Sequence, residues 1–361
     1  MTPPVAPRRL EGSARSVYLL GALRSVTPWY RLYEARKVFF NYRYGEREIY
    51  EAAEDEWIDV MVRVLPDPES SDPSYAEGVR WLLNYEATQV LTAPGPWFPE
   101  PIDWLDRPTP PCPDGAEASH VGPALVMSRT HGRPLRQWRS EGSPPTAIAL
   151  RVALEVLTML DVLHSRGQVI GGLSPDDFLI DDTGRLFFLA SERVLPMEHV
   201  ASLRGLFPPA RFPVGFSAPE VFDPAAGIDV RSDLYAWAAL CLFLITGEEP
   251  VVSSESADRH WVAPPDSRVE ELLVDAANRD AGRVPYLSRR QQPGPALHFA
   301  ADWLNGLARC LARDRAGRPE SVFKLRALSP PTRRVSSFAG LPRLIRRLFA
   351  SSEPHSARPD R

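Results

Sequence analysis

Four aspartates lie close together near the middle of the chain, in the stretch LSPDDFLIDDTG. Asp176 and Asp177 follow a proline, and Asp181 and Asp182 precede a Thr-Gly pair. Carboxylates at this spacing could hold a divalent cation, and Asp177 is the best-placed candidate. Aspartate before Thr-Gly is also favoured in turns, because its side chain accepts bonds from nearby backbone N–H groups. Turn chemistry explains Asp181 and Asp182, whereas Asp176 and Asp177 stay open to either interpretation.

An acidic side chain also interrupts the apolar face of a helix that we predict over residues 75–91. That face is made of positions three and four apart, namely Val79, Leu82, Leu83, Glu86 and Val90. A carboxylate on a buried face needs a cationic partner, because an unpaired buried charge is costly. The pattern therefore predicts a buried ion pair at Glu86.

The elements that must position these side chains fall into two parts. Residues 38–44 and 57–65 are rich in β-branched and aromatic residues, which favours strands, and ALVMSR is strand-like as well. From about residue 134 helical periods dominate, apart from two short apolar runs within residues 178–189. We therefore expect an α+β fold, with a small strand-rich part followed by a larger helical part.

Composition indicates a soluble globular protein without a strong charge bias. The 361 residues are 44% hydrophobic and 24% charged, with a net charge of -4. This charge offers no general attraction to nucleic acid or to an acidic membrane. The three cysteines, Cys112, Cys241 and Cys310, have neither disulfide-framework nor metal-ligand spacing. We expect a cytoplasmic protein, and we interpret the apolar run over residues 234–246 as a core helix because it is shorter than the ~20 residues that span a bilayer.

Four motifs in order make residues 30–328 resemble a eukaryotic-like (Hanks-type) Ser/Thr protein kinase. They are LDVLHSRGQVIGGLSPDDFLI, GFSAPEVF, RSDLYAWAALCLFLITGEEP and CLARDRAGRP. The resemblance implies a bilobal kinase-like fold, with a small antiparallel β-sheet lobe carrying one helix and a larger, mainly helical lobe. The implied divisions are an N-terminal extension over 1–29, an N-lobe over 30–132, a C-lobe over 133–330 and a C-terminal tail over 331–361.

The positions that hold such a fold together are filled as in the family. The resemblance implies that Glu220 pairs with Arg318 in a partly buried ion pair. It also implies that Asp233 accepts hydrogen bonds from backbone N–H groups of the catalytic loop. These three residues are our structural assignments.

The positions that carry the chemistry of phosphoryl transfer depart from the family. Ile170, Gly171 and Gly172 stand in the His-Arg-Asp positions, so the proton-accepting aspartate is a glycine. Ser174 replaces the loop lysine, and Asp177 replaces the metal-binding asparagine. The Asp-Phe-Gly positions hold Ala190, Ser191 and Glu192. We therefore assign no intact catalytic set and no metal site, with Asp177 as a weak metal candidate.

The small lobe departs in the same way. In VMVRVLP, Arg63 replaces the phosphate-binding lysine and Met61 the small alanine above the adenine, and the resemblance pairs Arg63 with Glu86. The stretch YRYGEREIYEA puts Tyr42, Tyr44 and Arg47 in the glycine positions of the phosphate-covering loop. If nucleotide binding remains, the positions that we assign to it are Met61, Arg63, Glu86, Asp177 and Leu179.

Together these departures predict a pseudokinase that is not an enzyme and acts as a regulatory, scaffolding or protein-binding module. We expect no cofactor in that case. One alternative is an atypical kinase-fold phosphotransferase that uses ATP and magnesium, with Arg63 or Lys37 acting alongside Asp176 and Asp177. A second alternative is a metal-independent nucleotide sensor.

The C-terminal tail carries two further features. Residues 340–350 contain apolar positions at i, i+3, i+4, i+7 and i+8 beside arginines, a pattern typical of a short basic amphipathic helix. Packing on the large lobe and docking to a partner or a membrane surface both stay open. Ser336 lies in RRVSS, a weak match to a site for basophilic kinases. We expect a protein partner, such as an active kinase or a signalling protein, and no nucleic acid.

Overall fold

The computed structural model describes residues 9–12, 16–26, 30–43, 46–50, 58–64, 73–93, 95–105, 123–142, 144, 146–204, 212–223, 225–249 and 306–328. The chain divides into two compact units, Met1–Ala93 with Phe98–Thr130, and Pro94–Trp97 with His131–Arg361. Ser336 and the predicted amphipathic segment 340–350 lie outside the described residues. The predicted domain limits around residues 132 and 330 stay predictions.

The first unit is built on a seven-stranded antiparallel sheet in the order β1-β2-β3-β5-β7-β6, with β4 pairing to β3 off this path. The strands are β1 (Arg9–Glu11), β2 (Ser16–Val26), β3 (Arg31–Arg43), β4 (Glu46–Tyr50), β5 (Ile58–Val64), β6 (Pro101–Leu105) and β7 (Ala124–Ser128). Alternation on β5 places Val60, Val62 and Val64 in the core of this unit. Arg63, between two of them, points to the opposite face of the sheet.

The sheet begins earlier in the chain than the sequence suggested. Strands β1 and β2 come from residues 9–26, which we had assigned to an N-terminal extension. Strand β2 pairs with β3 from Ser16 opposite Phe39 to Val26 opposite Arg31. The tyrosine of this strand, Tyr18, is fully buried in the core. Because these residues complete the hydrogen bonding of β3 and fill the core, they belong to the sheet.

One helix accompanies this sheet in the described part of the unit. Helix α1 (Pro73–Tyr85) continues directly into a π-helical turn over Glu86–Val90. Leu82, Leu83, Glu86 and Val90 are buried, which agrees with the apolar face that the sequence pattern predicted. The structure thus confirms a helix in this stretch, with Glu86 on its buried side.

The second unit is mainly helical. Its helices are α2 (Leu135–Gly142), α3 (Thr146–Ser165), α4 (Val200–Arg204), α5 (Val230–Thr246) and α6 (Val322–Leu328), and residues 306–310 are also helical. Strands β8 (Arg133–Pro134), β10 (Phe178–Ile180) and β11 (Leu186–Phe188) form one small antiparallel sheet, and β9 (Gln168–Val169) pairs with β12 (Leu195–Pro196). The chain therefore combines helices with antiparallel sheets, as expected for an α+β fold.

Helix α5 forms the centre of this unit. It starts at an Asp229 capping box and ends at Gly247, whose φ of 77° is in the left-handed region that glycine tolerates best. Residues 232–246 are all buried, and Trp237 Nε1 donates to the Ala153 carbonyl of α3 at 2.7 Å. The apolar run at residues 234–246 is thus a core helix, as predicted. None of the helices in the described ranges is long and apolar enough to cross a membrane.

Candidate functional site

The loop after β9 is held in place by one buried carboxylate on α5. Asp233 is fully buried and accepts hydrogen bonds from the backbone nitrogens of Ile170 at 3.0 and 3.1 Å and of Gly171 at 2.6 Å. His164 Nε2 lies 2.9 Å from the same carboxylate. These bonds satisfy a charge that would otherwise be costly to bury. The arrangement fixes the backbone of residues 170 and 171, which is the role that the resemblance implied for Asp233.

The space beside Gly172 is already filled by a later part of the chain. Gly172 and Ser217 form an isolated antiparallel bridge. A Cβ atom at residue 172 would lie 2.1 Å from Ser217 Oγ and 3.2 Å from Pro213 Cδ. Ser217 is itself buried, and in the described ranges its Oγ has no hydrogen-bond partner. The position where the resemblance implies a catalytic aspartate therefore has no room for a side chain in this conformation.

Asp177 lies at the end of a short 3-10 turn that starts at Ser174. Its Oδ2 accepts a hydrogen bond from the Ser174 backbone nitrogen at 2.5 Å, as part of a capping box, and forms an ion pair with the guanidinium of Arg193. Arg193 is buried, with 5% of its surface exposed. Burial raises the pKa of the Asp177 carboxyl, and the Arg193 charge opposes that shift. Asp177 is thus a partly buried carboxylate with a cation of its own chain beside it.

Asp176, the neighbouring acid, lies in a different environment. It is exposed, and its two carboxylate oxygens accept hydrogen bonds from Arg136 Nε at 2.8 and 2.9 Å. Arg136 also pairs with Glu249. The structure therefore does not bring Asp176 and Asp177 together as two ligands of one site. Asp181 accepts bonds from the Thr183 and Arg185 backbone nitrogens, each at 2.9 Å, so it serves the predicted turn.

The three residues that the resemblance places in the Asp-Phe-Gly positions, Ala190, Ser191 and Glu192, follow β11 after Leu189. Ala190 precedes a 3-10 turn over Ser191–Arg193, and both Ala190 and Ser191 are buried. Alanine offers no oxygen to a metal in its side chain. Glu192 is close enough to raise the pKa of Asp177, although burial and Arg193 have larger effects on that group.

Magnesium is the metal that the resemblance implies, and the described residues around Asp177 do not fit it. Mg²⁺ usually combines one or two carboxylates with several waters in an octahedral arrangement. Here the charge of Asp177 is matched by a buried guanidinium, and Asp176 is held by Arg136. A divalent cation at Asp177 would have to sit beside Arg193, a fixed positive charge.

In the first unit, the structure pairs Arg63 with Glu86. Their side chains are 2% and 1% exposed, and the guanidinium bonds to Glu86 Oε1. The Arg63 Cζ atom also lies 4.5 Å from the centre of the buried Tyr30 ring, a cation–π contact. A buried arginine is therefore held between a carboxylate and an aromatic face.

The other positions assigned to nucleotide binding have plainer surroundings. Met61 is half-buried on β5, two residues from Arg63, and pairs with Glu34 of β3 and Met127 of β7. In the second unit, half-buried Leu179 lies on β10 and pairs with Phe187 and Pro134.

The strand pairing corrects where the phosphate-covering loop lies. The resemblance implies that this loop joins the two strands that precede the Arg63 strand in the sheet. Those strands are β2 and β3, and Tyr30, whose ring contacts Arg63, directly precedes β3. Tyr42 and Arg47 instead lie on β3 and β4, and β4 is off the main path of the sheet. This pairing does not support our placement of glycine positions at Tyr42 and Arg47, and Tyr44 lies outside the described residues.

The same pairing separates Lys37 from Arg63. Lys37 lies opposite Ile58, whereas Arg63 lies opposite Leu32. Five residues along a strand correspond to about 16 Å, because each residue rises ~3.3 Å. Lys37 therefore cannot replace Arg63 at the same place.

Glu220 and Arg318 form the ion pair that the resemblance implied. Arg318 Nη1 and Nη2 lie 2.7 and 3.1 Å from the two carboxylate oxygens, and Ser232 Oγ donates to Glu220 at 2.7 Å. Arg318 Nε also donates to the Ala312 carbonyl at 2.7 Å. This network ties residues 312–318 to the start of α5.

The contacts of Arg193, Ser217 and Tyr30 were not predicted from the sequence. Arg193 and Ser217 lie next to motif positions, and a check for charged or polar residues bordering each motif would have found them. Tyr30 follows from the corrected strand assignment and had no signal of its own.

Three bacterial proteins are similar to this chain. Serine/threonine-protein kinase F of Synechocystis sp. is 26% identical over 159 residues, which are 43% of this chain and 32% of that protein. Serine/threonine-protein kinase Pkn1 of Myxococcus xanthus is 30% identical over 158 residues, 41% of this chain and 22% of that protein. DNA damage-responsive serine/threonine-protein kinase RqkA of Deinococcus radiodurans is 29% identical over 257 residues, 66% of this chain and 34% of that protein. A scan against models of protein families finds no match.

These relatives contradict the prediction that the chain is not an enzyme. All three are named as Ser/Thr protein kinases, and such similarity points to enzyme activity. The chain spans about a third or less of the length of each relative. The matches, together with the helices and antiparallel sheet described above, support a protein-kinase-like domain in this chain.

Proposed function

We propose that this chain is an atypical, kinase-fold phosphotransferase with two lobes, which transfers phosphate from ATP to Ser or Thr hydroxyls of proteins. The observation that carries the proposal is the buried ion pair between Arg63 and Glu86. The similarity to bacterial Ser/Thr kinases supports the same reaction class.

Stability alone does not account for the pair. Replacing a buried ion pair by apolar side chains of similar volume is often neutral or stabilising, because both charges lose their hydration. A guanidinium held by Glu86 and stacked on Tyr30 has a fixed position and orientation. Such preorganisation is valuable for binding the phosphates of a nucleotide, and arginine is well suited to phosphate oxygens.

The missing proton acceptor sets the expected rate. Phosphoryl transfer depends mainly on positioning and charge stabilisation, and its transition state is largely dissociative in most analyses. Loss of a general base typically lowers the rate roughly 10²–10⁴-fold. Compared with ordinary protein kinases at ~1–100 s⁻¹, we expect turnover from about 10⁻⁴ to 1 s⁻¹.

The test measures label transfer from γ-labelled ATP to the chain itself and to a mixed acceptor protein. We compare the wild type with Arg63→Met, Glu86→Gln and the double variant Arg63→Met/Glu86→Gln. The double variant removes both charges, so it should regain stability that Arg63→Met loses, yet it should still lack transfer. Arg129→Met, on an arginine whose side chain is partly exposed in the same unit, is the matched control and should retain transfer.

Two results would contradict the proposal. One is the absence of label transfer by folded wild type, above that of a heat-inactivated sample. The other is unchanged transfer by the folded double variant, since the reaction would then not use the Arg63 guanidinium.

A second candidate is a regulatory, protein-binding role, and one observation favours it. Asp233, Glu220 and Arg318 hold the frame of the second unit, while Ser217 fills the space beside Gly172. A frame maintained in this way can present a surface to a protein partner, such as another kinase. Recovery of one partner in stoichiometric amount with the native protein from the cytoplasm would support this role, and an isolated monomer would count against it.

A further inference from the structure

We propose that the Arg193 guanidinium takes the place of a divalent cation at Asp177, so that this carboxylate binds neither Mg²⁺ nor Mn²⁺. The inference rests on the proposed function only for the identification of Asp177 as the metal position. It concerns charge neutralisation at that position, and its decisive measurements need no nucleotide.

Arg193 and Asp177 are in direct contact. Arg193 forms an ion pair with Asp177 Oδ2, and the same oxygen accepts the Ser174 backbone N–H at 2.5 Å. The side chains of Arg193 and Asp177 are 6% and 15% exposed. Ion pairs at this degree of burial are less screened by water and salt than surface pairs.

The backbone fixes Arg193 on both sides. Before it, the Leu189 backbone nitrogen donates to the Asp177 carbonyl at 2.7 Å, and the Arg193 nitrogen donates to the Ala190 carbonyl at 2.9 Å. After it, Leu195 pairs with Val169 in the β9–β12 sheet. The guanidinium is therefore anchored beside Asp177 within one unit, and its withdrawal would disturb this local pairing.

The charge of Asp177 is already matched by a positive charge of the same chain. Asp177 contributes one negative charge and Arg193 one positive charge, and among the described residues Glu192 is another acid with an effect on Asp177. A divalent ion at Asp177 would need to release waters and to approach an anchored cation. Mg²⁺ gives up its waters reluctantly, so one carboxylate that already has a cationic partner is a poor site.

The experiment adds Mn²⁺ or Mg²⁺ alone, with EDTA as the reference, and follows the melting temperature together with Mn²⁺ binding by electron paramagnetic resonance. The variants are Arg193→Met, Asp177→Asn and Arg193→Met/Asp177→Asn, with Arg309→Met at an exposed position as the matched control. Wild type should bind no metal ion at Asp177, so Asp177→Asn should leave any Mn²⁺ binding unchanged. Arg193→Met should melt roughly 5 °C or more below wild type, and Mn²⁺ should restore part of that loss.

The double variant separates a cation requirement from packing. With Asp177 neutral, it should melt above Arg193→Met and show no response to Mn²⁺. If Arg193→Met does not fold, folding of the double variant supports the proposal, because it shows that unpaired Asp177 was the defect.

Three results would overturn the proposal. They are Asp177-dependent Mn²⁺ binding by wild type, an Arg193→Met variant that folds without a melting response to Mn²⁺, and failure of the double variant to fold. Failure of phosphate transfer, by contrast, bears on the proposed function and leaves these measurements valid.

Discussion

Substitution of Gly172 by alanine tests whether Ser217 occupies the space beside this residue, where the resemblance implies a catalytic aspartate. The added Cβ would lie 2.1 Å from Ser217 Oγ, whereas real Cβ atoms stay beyond 3.0 Å, so this contact must open by at least 3.0 − 2.1 = 0.9 Å. Ser217 Cβ at 3.1 Å and Pro213 Cδ at 3.2 Å also lie closer than ordinary contacts. Overpacking of this kind typically costs about 1–3 kcal/mol. Because the hydroxyl can rotate, we expect a loss of about 1–2 kcal/mol.

Urea denaturation of four proteins measures this loss: wild type, Gly172→Ala, Ser217→Gly and the double variant. Ser217→Gly removes both the hydroxyl and the Cβ, so Gly172→Ala should cost much less in that background. The coupling free energy between the two substitutions should be about 1 kcal/mol. Gly317→Ala is the matched control, since its Cβ would meet the Ala312 Cβ at an ordinary 3.5 Å.

Ser217 does not fill this space if Gly172→Ala is as stable as wild type, or if the effects of the two substitutions on the free energy of unfolding are additive. The same geometry governs any attempt to restore the aspartate. Gly172→Asp should not raise label transfer by itself, because its side chain would displace the segment around Ser217. In the double variant Gly172→Asp/Ser217→Gly, the aspartate side chain should have room, and label transfer should rise.

The second unit supports three further predictions. Arg318→Met should lower the free energy of unfolding in urea by about 3–5 kcal/mol, since it leaves Glu220 partly buried without its guanidinium. The double variant Arg318→Met/Glu220→Gln should lose less. Equal losses in the single and the double variant would contradict this prediction. Asp233→Asn should cost about 1–3 kcal/mol and speed amide exchange at Ile170, and unchanged exchange would refute the anchoring role. Burial raises the pKa of Glu155 to about 7 from 4.5. The free energy of unfolding should therefore fall as the pH rises between these values, by up to about 3 kcal/mol, and Glu155→Gln should abolish that fall.

The motifs of the second unit allowed the anchoring contacts to be predicted from sequence. Asp233, Glu220 and Arg318 make the contacts that the resemblance implied. Each of these contacts joins two short motifs whose chain spacing is regular in the family. Helix α5 was equally predictable, because a run of apolar residues too short for a membrane must be buried in a core.

The sheet was harder to predict because hairpins resemble one another in sequence. Strands β3 and β4 have aromatic and β-branched residues, and so does β2, so local composition did not show which pair precedes the Arg63 strand. Only the hydrogen-bond pairing of β2, β3 and β5 distinguishes them. Contacts between distant residues, such as Gly172 with Ser217, likewise depend on tertiary packing that no local pattern encodes.

The two candidate sites share one electrostatic feature, although they lie in different units. In the first unit Arg63 is neutralised by Glu86, and in the second Asp177 is neutralised by Arg193. Each charge that the resemblance would assign to a ligand or a metal therefore already has a partner from the same chain. Neutral, preorganised sites exert little long-range attraction, so binding there must depend on short-range hydrogen bonds and shape. Because a guanidinium only donates hydrogen bonds, whereas an ionised carboxylate only accepts them and repels a phosphate, phosphate recognition should depend more strongly on Arg63 than on Asp177.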